Sequence, residues 1–139
     1  MIVLDTNVLS EASRPAPEQR VLDWIAGQQP TRLFTTTISQ AEFLYGLAIL
    51  PAGRRRTALA EAAHRMFAED FADRVLPFDS AAAQAFAAIA AARRRKGRPI
   101  GDLDGQIAAI ARSRGAAVAT RNVSDFADCG IEVFDPWAE

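Results

Sequence analysis

The chain has 139 residues, half of them hydrophobic and 24% charged, with a formal net charge of −1. That length and balance suit one soluble globular domain with a full core of its own, read here as residues 1–139. They exclude a uniformly basic nucleic-acid-binding chain, and the single cysteine, Cys129, excludes a disulfide framework or a CxxC zinc site.

Taken in chain order, Met1–Leu4 predicts a short buried strand that stops on Asp5. Glu18–Ala26 predicts a helix after the turn RPAPE. Leu33–Thr37 is β-branched and aromatic, so it predicts a strand. Ser39-Gln40-Ala41-Glu42 fits a capping box opening a helix through FLYGLAIL, ended by Pro51. Arg54–Phe71 is helical in pattern with a break, and Arg74–Leu76 is a short strand. Ala81–Lys96 is a helix stopped at Gly97 and Pro99, and Asp102–Arg114 is another stopped at Gly115. Ala117–Ala119 and Ile131–Phe134 are the last strands. Alternating strands and helices predict an α/β fold, with a mainly parallel sheet covered on both faces.

No segment predicts a membrane span. The longest apolar-looking run, Ala81–Ala92, is too short and contains Gln84. The apolar start is too short for a signal-peptide core, so a cytoplasmic location is expected. A single cysteine fits a reducing compartment.

In a parallel sheet, strand C-termini and the helix N-termini that follow them share one edge, where ligands bind. Asp5, Glu42, Asp104 and Asp125 all fall on that predicted edge. Each has an ordinary alternative: Asp5 as a helix cap, Glu42 as a capping-box partner, any of them as an acid favoured at a helix N-terminus. Asp104 borders the apolar face formed by Ile100, Leu103, Ile107 and Ile110, whereas Asp102 lies toward solvent and suits the cap. Convergence of four acids requires a counter-charge. With no His or Cys partner, the donor set points to a hard cation, Mg²⁺ or Mn²⁺. The one histidine, His64, lies far from the acids in sequence and reads as a surface or packing residue. Clustered carboxylates holding Mg²⁺ suit phosphodiester hydrolysis. No GxxxxGK[ST] loop is present, and Ser39 has no neighbouring base to activate it.

Lys96 is the only lysine among 16 basic residues. Arginine suits phosphate better, because its fork binds two oxygens at once. Arg93, Arg94, Arg95 and Arg98, with Arg14 and Arg121, are candidate nucleic-acid contacts. The run at Arg93–Lys96 also fits a solvated helix end that complements the macrodipole.

Four segments carry a family resemblance: MIVLDTNVLSE, TTTISQAEFLYGL, RPIGDLDGQIAAIARSRGAAVATRNVSDF and GIEVFDPW. In this order the chain resembles the PIN-domain family, and most of all its VapC/FitB-like toxin ribonucleases of type II toxin–antitoxin pairs. The resemblance implies a PIN-like three-layer sandwich and a metal-binding quartet at Asp5, Glu42, Asp104 and Asp125. It implies Asp5 and Asp104 as the principal ligands, Glu42 completing the pocket, and Asp125 holding a second metal or the attacking water. Thr6, Asn7, Thr120 and Asn122 match positions that hydrogen-bond the acids or waters. The implied activity is Mg²⁺-dependent endoribonuclease cleavage leaving 5′-phosphate and 3′-hydroxyl ends. The implied partners are an RNA substrate and a cognate antitoxin, with a homodimer, a hetero-oligomer with the antitoxin, and DNA reached only through it. Phe43, Leu44, Leu47, Leu50, Trp24 and Ile25 are candidates for the antitoxin groove or dimer face, or for core.

Two departures stand out. The family often reads Pro-Ile-Ser before the acid, where this chain has Pro99-Ile100-Gly101-Asp102. Asp102 can therefore cap the helix or compete with Asp104. Gly105 stands where a helix former is expected. Two other functions are weighed. A haloacid-dehalogenase-type phosphatase also begins with a strand ending in Asp, but wants a second Asp where Asn7 stands. A non-catalytic interaction module of the same fold is the other.

Overall fold

Ile2–Leu4 form the first strand, β1, and all three side chains are buried. Ile2 and Leu4 enter one apolar cluster and Val3 enters another, as a strand period of two requires. β1 is therefore a central strand with a core on each face. The computed structural model covers residues 1–139 and builds three layers around this strand.

The elements follow as α1 (Thr6–Ala12), α2 (Gln19–Ala26), β2 (Leu33–Thr36), α3 (Thr37–Ala48), α4 (Arg54–Arg65), β3 (Val75–Leu76), α5 (Ser80–Arg95), α6 (Asp102–Ser113), β4 (Ala117–Ala119) and β5 (Val133–Phe134). The five strands lie in the order β3-β2-β1-β4-β5, and every pairing is parallel. Leu4 sits beside Ala119 in the β1–β4 register. The expected α/β sandwich is therefore the fold observed. No helix is long and apolar enough to cross a membrane.

One core joins Val3 and Val118 to α5 and α6 through Ile89, Ile107 and Ile110. The other joins Ile2 and Leu4 to Val8, Val21, Phe67 and Phe71. Small residues let α6 approach closely: Ala108, Ala109 and Ala111 have no exposed surface. Phe43, Leu47, Trp24 and Ile25 pack partly buried against the second core. Leu44 and Tyr45 on α3 and Ile49 just after it stay 40%, 67% and 65% exposed.

Several boundaries differ from the sequence expectation. The cap of α3 is Thr36, whose hydroxyl accepts from Ser39 N–H at 3.0 Å. The helix therefore starts at Thr37, and Glu42 lies in its second turn, not in a capping box. Two adjacent threonines, Thr36 and Thr37, made strand and cap indistinguishable by propensity. The helix also stops at Ala48, before Leu50. Asp102 is the first residue of α6, and Gly101 occupies the cap without a side-chain bond. Asp102 is thus not the cap; as a first-turn acid it still complements the helix dipole. The break in Arg54–Phe71 is a single π turn at Met66–Asp70, where Phe67 and Phe71 pack together with ring centroids 6.5 Å apart. α5 ends as expected, with Gly97 at φ +71, a conformation that glycine adopts without a Cβ penalty.

Gly105 has a packing reason. A Cβ there would lie 2.8 Å from Cε2 of Phe86 and 3.3 Å from the Ile100 methyl. Helix propensity favours alanine by about 1 kcal/mol, but overpacking costs roughly 1–3 kcal/mol. Gly105→Ala is expected to lower stability by about 1 kcal/mol in urea denaturation. A variant more stable than the parent would show that the Phe86 ring yields freely.

Candidate active site

Asp5 ends β1 and caps α1, so its side chain is fixed by two elements at once. Oδ1 accepts from Thr6 N–H at 2.8 Å. Oδ2 accepts from the Thr120 hydroxyl at 2.7 Å and from Asn7 Nδ2 at 3.4 Å. Thr120 follows β4, the strand beside β1, and its hydroxyl oxygen accepts from Asn122 N–H at 3.0 Å and Asn7 Nδ2 at 3.2 Å. Asn7 Oδ1 in turn accepts from Arg121 N–H at 3.3 Å. This network locks the ends of two parallel strands together around a carboxylate only 4% exposed. The polar residues singled out in the sequence all join it or its neighbour. Thr6 reaches the other way, donating its hydroxyl to Glu42 Oε1 at 2.8 Å. Asn122 takes part through its backbone.

Asp5, Glu42 and Asp104 line one cleft of about 450 Å³. Asp104 stands in the first turn of α6. Asp102, two residues earlier, is exposed and does not line the cleft. Asp125 lies in the 3₁₀ turn Val123–Phe126 after β4. It is exposed and outside the lining, yet its charge acts on both Asp5 and Asp104. The topology therefore gathers the four predicted acids at one sheet edge, three inside the cleft and Asp125 at its margin.

Their electrostatics record the crowding. Burial pushes the Asp104 carboxyl up to about 6, and the charges of Asp5, Asp125 and Glu42 push the same way, with Arg93 opposing. Burial also raises Asp5, against the hydrogen bonds from Thr120 and Thr6, with Glu42 and Asp125 adding to the rise. These groups share one unfavourable field that a cation would relieve. The side chains fit a hard cation in chemistry, because every donor is oxygen and none is nitrogen or sulfur. They do not close into a ready three-ligand cage, so waters would complete any coordination shell, as Mg²⁺ prefers. His64 is exposed on α4, and Cys129 is buried beside Arg93.

The basic candidates divide. Arg14 and Arg121 line the cleft. Arg93 does not face solvent and leaves the set of nucleic-acid contacts. It is 5% exposed, and its guanidinium donates to the carbonyls of Arg98, Asp125 and Ala127 at 2.7, 3.0 and 2.9 Å. An inward arginine inside an RRRK run has no composition signal. Arg94 and Arg95 are exposed beyond the cleft, and Arg98 pairs with Asp128 at 3.3 Å. Lys96 is also exposed and pairs with Asp128 at 3.6 Å.

Glu11 and Trp137 also line the cleft and were not anticipated as functional residues. A glutamate near the end of a seven-residue helix ordinarily reads as solvent-facing, yet Glu11 is 6% exposed. Only the partners that surround it in space reveal it.

The Asp104 carboxyl rises from its ordinary 3.8 to about 6, so the folded state binds more protons than the unfolded state between these values. Stability of the metal-free protein then falls as pH rises through about 6. Discounted for solvent screening of this half-buried group, Asp104→Asn is expected to stabilise the metal-free protein at pH 7 by about 1 kcal/mol and to flatten this dependence. Thermal melts in EDTA across that range, for both proteins, check it; equal melting temperatures at neutral pH would refute it.

Residues 2–130 match the PIN domain profile. The chain is 42% identical over 137 residues to VapC ribonuclease Y4jK of Sinorhizobium fredii, across 99% of this chain and 98% of that protein. It is 37% identical over 137 residues to toxin FitB of Neisseria gonorrhoeae, across 99% of each. The crystal structure of FitAcB from Neisseria gonorrhoeae matches it with a TM-score of 0.95 at 37% identity, covering 100% of both chains. With profile, full-length relatives and fold in agreement, this chain belongs to the PIN-domain family.

Proposed function

We propose that this chain is a Mg²⁺-dependent endoribonuclease, the toxin of a toxin–antitoxin pair, with Mn²⁺ as an alternative metal. The observation that carries the reading is the crowded carboxylate set of buried Asp5 and half-buried Glu42 and Asp104 in one cleft, with Asp125 at its margin. A relative named as a ribonuclease and another named as a toxin support it.

Asp5 and Asp104 are the principal metal ligands in this reading, with Glu42 completing the pocket and Asp125 serving a second metal or the attacking water. Bound there, Mg²⁺ would supply an acidified water and neutralise charge on the attacked phosphate. The chain's own residues do the positioning. Thr120 and Thr6 N–H hold both Asp5 oxygens, and the Thr6 hydroxyl fixes Glu42. Arg14 and Arg121 offset the repulsion that an acidic cleft exerts on RNA. The products are a 5′-phosphate and a 3′-hydroxyl.

The proposed protein partner is a cognate antitoxin, and an arginine from it would pair with the same carboxylates. DNA is reached only through that antitoxin. The exposed Leu44 and Tyr45 on α3, with Ile49 at its C-terminal cap, support a protein-facing surface, for a second copy or for the antitoxin. The working location is the cytoplasm. A non-catalytic module is the second reading; four retained acids in one field speak against it.

The test is cleavage of purified total RNA by antitoxin-free protein, with Mg²⁺, with EDTA, and by Asp5→Asn. Discrete fragments are expected only with Mg²⁺, and the variant should lose about 10²-fold or more in rate. Metal-loaded protein that is folded yet leaves every RNA intact would favour the module.

A further inference from the structure

Two arginines in the cleft are held in place by partners that the carboxylate chemistry does not use. Glu11 is buried, and both its oxygens are engaged. Arg14 Nη1 donates to Oε1 and Oε2 at 3.2 Å each, and Glu18 N–H donates to Oε2 at 3.2 Å. These bonds, the one from Glu18 N–H first, hold the Glu11 carboxyl below its ordinary range, and the neighbouring Trp137 side chain adds to the effect. The Trp137 ring lies under the Arg121 guanidinium, 5.1 Å from its centroid. The chain end is pinned beneath this stack, with Arg20 donating to the Trp137 carbonyl at 3.1 Å and Trp137 N–H to Asp135 Oδ1 at 2.9 Å. Glu11 thus anchors one arginine by charge, and Trp137 carries the other on its ring.

Both arginines retain unspent donors. Arg14 engages Glu11 through Nη1 alone, and its side chain is 63% exposed. The Arg121 guanidinium has no ion pair; its restraint is the face of Trp137. A strand entering beside Asp5, Glu42 and Asp104 meets a negative field, so fixed cations have to sit next to it. Arginine forks ordered before binding lose less freedom when they grip phosphate oxygens.

We propose that Glu11 and Trp137 position Arg14 and Arg121 as a two-arginine subsite for the phosphates flanking the cleaved bond of single-stranded RNA. The proposal rests on the ribonuclease reading above and extends it. Glu11 and Trp137 are positioning residues, and the arginines make the contact.

The experiment uses the full chain carrying Asp104→Asn, in EDTA, so that RNA binds without being cut. Binding of a short fluorescein-labelled single-stranded RNA is followed by anisotropy across a salt series. Arg14→Ala and Arg121→Ala should each weaken binding and reduce the slope of log affinity against log salt by about 0.7 per lost phosphate contact. Glu11→Gln should weaken binding several-fold in the parent, and have no effect once both arginines are alanine. Trp137→Phe should retain most affinity, since a ring remains under Arg121, and Trp137→Ala should not. Unchanged salt slopes in both arginine variants, with RNA still bound, would overturn the subsite and leave the ribonuclease reading standing. A Glu11→Gln loss that persists without the arginines would reduce Glu11 to a structural residue and overturn its positioning role. A parent that binds no RNA at any salt would overturn the ribonuclease reading, and the subsite with it.

Discussion

The hydrogen bond from Thr120 to Asp5 is the contact on which the site depends. At 2.7 Å it joins residues 115 positions apart in the chain. It exists because β1 and β4 are parallel neighbours with Leu4 beside Ala119. The residue after each strand then emerges at the same edge. An antiparallel pairing would send one of them to the far side of the sheet. Asp5 can be buried there because its oxygens are supplied with donors, which is the condition for burying a carboxylate.

A second constraint is charge. Burial raises the proton affinity of Asp5 and Asp104, and the charges of Glu42 and Asp125 add to the rise. The fold tolerates this because other groups hold the loops. Arg93 lies behind the site, with its guanidinium on three backbone carbonyls from the segments that end near Asp104 and Asp125. It is a buried cation hydrogen-bonded through Nε and Nη1, and it favours the ionised form of Asp104. The arginine run at the end of α5 thus has two duties: Arg93 fastens loops, while Arg94 and Arg95 remain in water.

The cleft is not uniformly acidic. Its carboxylates come from the end of β1, the second turn of α3 and the first turn of α6, and its cations stand just after α1 and after β4. Glu11 is the hinge between these groups. It is an acid in composition, but its charge is committed to Arg14 and Glu18 N–H. Counting acids along the chain therefore overstates the negative field and misses how the arginines are oriented. The same economy of contact appears at Gly105, where the missing side chain leaves room for Phe86 against the helix that carries Asp104.

The sequence by itself determined the layer order and the identity of the acids. Strand and helix alternation was written in hydrophobic period, and MIVLD or GDLDG places an acid directly after a strand or at a helix start. Parallel topology then brings those acids to one edge without further information. Tertiary structure decided what periodicity does not encode. It chose Thr36 over Ser39 as the α3 cap, because the pairing of β2 with its neighbours sets where the strand ends. It placed Asp104 in the cleft and left Asp102 in solvent. It turned Arg93 inward and buried Glu11. Each of these depends on partners distant in the chain or on a single hydrogen bond. Local propensity carries neither, so only the assembled fold could fix them.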